Sequence, residues 1–221
     1  QMAHGNFLAC FELTDSPHIM IVADEDTPCI EFINQVQPRL SKSSKLSILR
    51  GSIATEEGVS PMNAQQLISE KYSAGESALL NFSLTNNYFS GTIYNRRLLI
   101  ELGLVNRLKE NLELNSAYPH LYLEILASAT SEVETSADIC CVEGAPQILP
   151  GPGPSMHLPP YSFGGRLDQF VIARDNFREA LTLMHGDFDI GLLLTLYLRL
   201  CEKYFYLVAM VNAPMYVRNN I

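Results

Sequence analysis

The chain has 221 residues, enough to bury a substantial core in one large domain or two small ones. Apolar residues make up 47% and charged residues 18%, a balance that excludes intrinsic disorder for the chain as a whole. Fifteen basic against 24 acidic residues leave a net charge of −9, which argues against nucleic acid as a partner bound through the overall field.

The chain opens Gln1-Met2, which is not a natural start, so either a short remnant precedes the native sequence or the chain is a piece of a longer protein. Its first ten residues lack the basic start and long apolar run of a signal peptide. Cys10 to Leu13 and His18 to Ala23 read as short strands. Thr27-Pro28 reads as a helix start, with proline at the first helical position. Ile30, Ile33 and Val36 give that helix an apolar face, and Pro38 is expected to stop it. Residues 45–53 alternate loosely and read as a strand. Together these form a small mixed α/β part over 1–59.

From Ser60 the pattern turns helical. Ser60-Pro61 is an N-cap followed by proline at N1, opening a helix to about Tyr72. Glu76 to Leu84 is a second helical stretch, and Thr92 to Leu102 a third, with Gly103 as its stop. Val105, Leu108 and Leu112 recur at helical spacing, and Pro119 opens a further helix with Leu121, Tyr122 and Ile125 on one side. Residues 60–128 are thus expected to be a helical region. Residues 129–163 carry Glu132, Glu134, Asp138 and Glu143 and then six prolines from Pro146 to Pro160, and read as an acidic Pro/Gly-rich linker. In 164–221 the spacing of Leu167, Phe170, Val171, Arg174, Phe177, Leu181 and Met184 predicts an amphipathic helix closed by Gly186. Asp187 or Asp189 then caps a helix apolar nearly all round, giving an antiparallel hairpin. Arg199, Glu202 and Lys203 interrupt 190–211, so no transmembrane span is expected there.

The fold class expected from these elements is mainly α: antiparallel helical hairpins, as a solenoid or irregular bundle, behind a small mixed α/β N-terminal part.

The motifs exclude more than they assign. Cys10, Cys29, Cys140, Cys141 and Cys201 are odd in number and irregularly spaced, which predicts free buried thiols in a reducing compartment and a cytoplasmic protein. Ile19 to Asp26, an apolar strand running into Asp24, Glu25 and Asp26, resembles the first strand of a response-regulator receiver domain. That resemblance implies acids holding Mg²⁺ beside a phosphorylated aspartate at the end of a later strand. No aspartate occurs between Asp26 and Asp138, so that chemistry is not expected. GxSxG, HExxH and the phosphate-loop patterns are absent, and no catalytic, metal or cofactor residue is assigned.

Two groups of residues are candidates for an interface. Arg39, Lys42, Lys45 and Arg50 form a basic cluster suited to an acidic partner or an anionic membrane surface. Tyr204, Phe205, Tyr206, Met210 and Met215 are residue types enriched at protein interfaces. The function expected is therefore protein–protein interaction or self-association, as a scaffold or adaptor subunit of a larger complex. The alternatives are an enzyme whose site is built from scattered residues, and a helical bundle holding an apolar ligand near 190–211.

Overall fold

A six-stranded mixed sheet organises the first part of the chain. The computed structural model describes residues 3–56, 65–84, 88–145, 163–185 and 189–212. Two compact units divide it, Gln1–Gln147 and Ile148–Ile221.

The first unit runs α1 (Ala3–Glu12), β1 (His18–Ile21), β2 (Thr27–Pro28), α2 (Ile30–Lys42), β3 (Leu46–Thr55), β4 (Glu70–Tyr72) and α3 (Glu76–Ala78). A π-helical turn (Leu79–Ser83) leads to β5 (Thr92–Asn95), α4 (Arg96–Glu101), α5 (Leu104–Glu110), α6 (Pro119–Thr130) and β6 (Glu132–Glu143). The strand order is β1-β5-β3-β6-β2, with β4 also paired to β6. β3 and β6 are parallel and every other pairing is antiparallel. The β3–β6 register slips three times, between Leu46 and Ile48 and on either side of Ser52, and these irregularities accompany the curl of the sheet.

Both faces of the sheet are covered. Consecutive strand residues point to opposite sides. Leu49 and Ile93 face one way and pack with Phe32, Val36 and Leu40 of α2. Their neighbours Arg50 and Tyr94 therefore face the other way, where Tyr94 meets Phe7 and Phe11 of α1 and Glu124 of α6.

This architecture corrects the mainly-α expectation. Residues 132–143, read from sequence as linker, form the longest strand, and Thr92 to Asn95, read as helix, form another. Cys10 lies in α1 rather than in a strand, and residues 65–69 are not helical, with Gln65 bridging Ile53. The helix start proposed at Ser60-Pro61 lies outside the described residues. The buried face of α2 is Phe32, Val36 and Leu40, whereas Ile30 is exposed. Pro38 does not stop α2, which continues to Lys42. It sits on the solvent side of the helix, where water can satisfy the carbonyl that its ring leaves without a donor.

Other local signals act as expected. Pro119 opens α6, and Gly103 ends α4 in the left-handed conformation (φ +72°). In the second unit, α7 (Phe163–His185) and α8 (Ile190–Tyr206) pack as a hairpin, followed by a π-helical turn (Leu207–Asn212). Asp189 caps α8, accepting from the N–H groups of Gly191 at 2.9 Å and Leu192 at 3.1 Å. Phe170, near the start of α7, meets Tyr204, near the end of α8, edge to face, so the helices run antiparallel. No helix among the described residues is long and apolar enough to cross a membrane.

Gly91 and Gly103 both hold positive φ, but only Gly91 is also crowded: a Cβ there would lie 2.3 Å from Cys140 Sγ, whereas nothing approaches Gly103. Gly91→Ala is therefore expected to lower stability by about 2–4 kcal/mol, and Gly103→Ala by about 1 kcal/mol, read from urea midpoints at constant slope. Equal losses at the two positions would show that Gly91 does not face the thiol.

Candidate functional site

Three features of the structure concentrate chemistry, two in the first unit and one in the second.

The deepest is a buried ion pair. Arg50, on β3, is 1% exposed and its Nη2 donates to Glu124 Oε2 of α6 at 2.7 Å, with Glu124 fully buried. Tyr94 donates its hydroxyl to the other carboxylate oxygen at 3.3 Å, and the guanidinium lies 4.1 Å from the centre of the Phe82 ring. Burial, together with the adjacent Glu124 charge, pushes the Tyr94 hydroxyl well above the usual phenol range, so it stays a donor. Arg50 Nε and Nη1 find no acceptor among the described residues. Sequence reading missed Glu124. The available signal was its place as the lone acid within the apolar helix Pro119–Thr130.

The second feature lies where the parallel strands β1, β3 and β6 end. The loop after β1 folds back so that Asp26 is 8% exposed, accepting the Tyr88 hydroxyl on one oxygen and the Gly144 N–H on the other at 3.2 Å. Ser90 accepts the Ala23 N–H at 2.9 Å, closing the loop onto the segment before β5. Burial, and then the bond to Asp26, pushes the Tyr88 hydroxyl far up. Beside it Glu25 donates to Asp24, which raises the Glu25 carboxyl above its ordinary range and lowers that of Asp24. The acids that resemble a receiver strand thus bind their own chain, and no cluster of His, Cys, Asp and Glu among the described residues has the arrangement of a metal site.

The basic cluster does not assemble. Arg50 is buried on β3, and Arg39 pairs with Glu134 of β6. Lys42 and Lys45 remain exposed. Of the C-terminal candidates, Phe205 is 75% and Tyr206 61% exposed, and Tyr204 is half-buried against Phe170. The Met210 side chain and Met215 lie outside the described residues. The thiols are all free, but Cys10 and Cys201 are exposed and Cys29 half-buried, so only Cys140 and Cys141 match the expectation of buried thiols.

The third feature is an apolar stripe on α8. Ile190, Leu194, Leu198, Cys201 and Phe205 are exposed, and at 3.6 residues per turn they fall within roughly 80° of the helix circumference. The buried Leu192, Leu196 and Leu200 occupy the opposite side. Arg199 and Glu202 lie on the flank between, and Lys203 lies on the side of the buried leucines, so the stripe carries no charge.

No protein-family model, curated protein or solved structure matches this chain.

Removing the Tyr88 hydroxyl deprives a buried carboxylate of one donor. Tyr88→Phe is expected to cost about 1–3 kcal/mol in urea unfolding. A midpoint equal to that of the parent would show that Asp26 does not depend on this bond.

Proposed function

We propose that the chain is a protein-interaction subunit that presents α8 to an apolar groove of a partner protein. The supporting observation is the stripe itself: 70%, 57%, 67% and 75% exposure at Ile190, Leu194, Leu198 and Phe205, on the side away from the hairpin's own core. Aliphatic residues four apart that end in an aromatic are the anchor pattern of a helix laid into a groove. Uncharged exposed strips of this kind are uncommon on surfaces that face only water. The five free thiols support a reducing, cytoplasmic setting. In this reading the α/β unit is a folded base, and the hairpin carries the contact.

An apolar stripe without its partner associates with itself, which gives a direct test. The mass of the chain by light scattering is expected to rise above 24.6 kDa with concentration, whereas L194E/L198E stays at 24.6 kDa with unchanged helical circular dichroism. A parent chain that remains at 24.6 kDa throughout, or a double variant that loses its helices, would show that the stripe is covered within the chain and would overturn the proposal.

A further inference from the structure

Cys29 and the adjacent pair Cys140 and Cys141, more than a hundred residues apart in sequence, converge on one side of the sheet. Thr27 and Pro28 of β2 stand opposite Val142 and Cys141 of β6, so the next antiparallel position places Cys29 opposite Cys140. The Cys29 N–H donates to the Cys140 carbonyl at 2.9 Å, which extends the ladder to this pair. Directly opposed residues of an antiparallel pair have Cα atoms about 4.5–5.5 Å apart, inside the range a disulfide spans. Cys29 packs against the apolar cluster that contains both Cys140 and Cys141.

The sheet makes room for these sulfurs. Adjacent strand residues normally face opposite ways. Here the β3–β6 register slips between Ser52 and Ile53, where one step on β3 matches two on β6 across Cys140. Cys140 and Cys141 then both turn a sulfur toward Gly91: a Cβ placed there would lie 2.3 Å from one and 3.1 Å from the other. A Cβ at Gly51 would overlap the Cys140 Cβ at 2.4 Å. The Cys141 thiol donates to Cys140, and this bond, aided by the Gly51 N–H, holds the Cys140 thiol below the ordinary cysteine range against the opposing effect of burial. Cys141, as the donor and beside Asp26 and Glu143, is pushed far up.

Access is graded along the same line. Cys29 is half-buried, at the N-cap of α2, whereas Cys140 and Cys141 are both 0% exposed. An oxidant from solvent therefore meets Cys29 first, whose thiol donates to Glu31 Oε2 at 3.4 Å, and Cys140 stands opposite it across the ladder.

We propose that Cys29, Cys140 and Cys141 form a peroxide-sensitive thiol site in which Cys29 is the reacting cysteine and Cys140 resolves it into a Cys29–Cys140 disulfide. In the first step the Cys29 sulfur attacks the distal oxygen of a hydroperoxide, the O–O bond breaks, and the alcohol or water leaves with the thiol proton, giving the sulfenic acid. In the second the Cys140 thiol gives up its proton as its sulfur attacks the Cys29 sulfur, so that the S–S bond forms and the S–O bond breaks. Hydroxide then leaves as water with the Cys140 proton. Two thiols are oxidised and one hydroperoxide is reduced. The product ties the start of α2 to β6 covalently beside the Asp26 loop.

Cys10 and Cys201 are exposed and are removed first, as C10S/C201S, so that only the three clustered thiols report. Hydrogen peroxide added to this folded chain, followed by denaturation and alkylation, is expected to leave one of the three thiols free. Peptide mapping is expected to show Cys29 linked to the 140–141 segment. Adding C141S is expected to preserve the link, which assigns it to Cys140. Adding C29S is expected to abolish the peroxide-dependent loss of thiols, and adding C140S to leave Cys29 as a sulfenic acid that dimedone captures. If C140S does not fold, the C141S map decides. A Cys140–Cys141 disulfide with Cys29 free, over-oxidation of Cys29 without a link, or full retention of all three thiols would each overturn the proposal.

Discussion

A guanidinium sealed between a sheet and a helix governs how the first unit is built. Taking Arg50 and Glu124 out of water costs several kcal/mol per ion, and only a close, well-bonded contact offsets that cost. The 2.7 Å contact, the Tyr94 hydroxyl and the Phe82 ring offset part of it, with Arg50 Nε and Nη1 left without an acceptor among the described residues, and they can do so only if β3, β5, the π-helical turn and α6 arrive together. The chain passes from α6 through Ser131 straight into β6, so fixing α6 on the sheet also delivers β6 alongside β3. Ser131 donates to the Ser47 hydroxyl at 2.7 Å and Glu132 N–H to the Lys45 carbonyl at 3.1 Å, which set where the parallel pairing begins. Parallel strands need a long crossover, and the ion pair lies where that crossover returns to the sheet.

What sequence reading missed follows from the same long-range logic. β6 carries Glu132 and Glu134, and acids in a stretch leading into prolines read as solvated linker. In the fold they meet Lys71 and Arg39, both more than 60 residues earlier in the chain, and become strand residues with partners. Arg50 joined a basic cluster by proximity in sequence, although its alternation with Ile48 already hinted that it shares the inward side of a strand. At Thr92 to Leu102, strand and helix abut without a break. The available mark was Asn95, whose side chain accepts the Leu98 N–H as an N-cap. The facing of Cys29 and Cys140 has no local signature at all, because strand pairing alone creates it.

Signals that act within one turn of chain were legible. Asp189, Pro119 and Gly103 each act through a neighbouring backbone group, and the two long helices of the hairpin were legible as helices, but not the buried face of α7: Leu167 and Val171, expected on it, are exposed, while Arg166, Gln169 and Asn176 are buried. The α8 stripe illustrates the limit of such reading. A helix apolar on most sides predicts burial all round, yet only the side carrying Leu192, Leu196 and Leu200 is buried. The excess apolar surface is thus displayed along Ile190, Leu194, Leu198 and Phe205. The thiol site uses the opposite arrangement, reactive groups held inside a sheet with one of them at the rim.

The organising role of the ion pair is tested most directly by a double-mutant cycle in urea. Arg50→Met and Glu124→Leu, made singly, each strand one buried charge and are expected to cost about 3–5 kcal/mol. Made together they replace the pair with apolar groups, and the double variant is expected to be more stable than either single one, so that the losses are strongly non-additive. Two losses that simply add would mean that the charges do not act on each other in the folded chain, and would contradict the account.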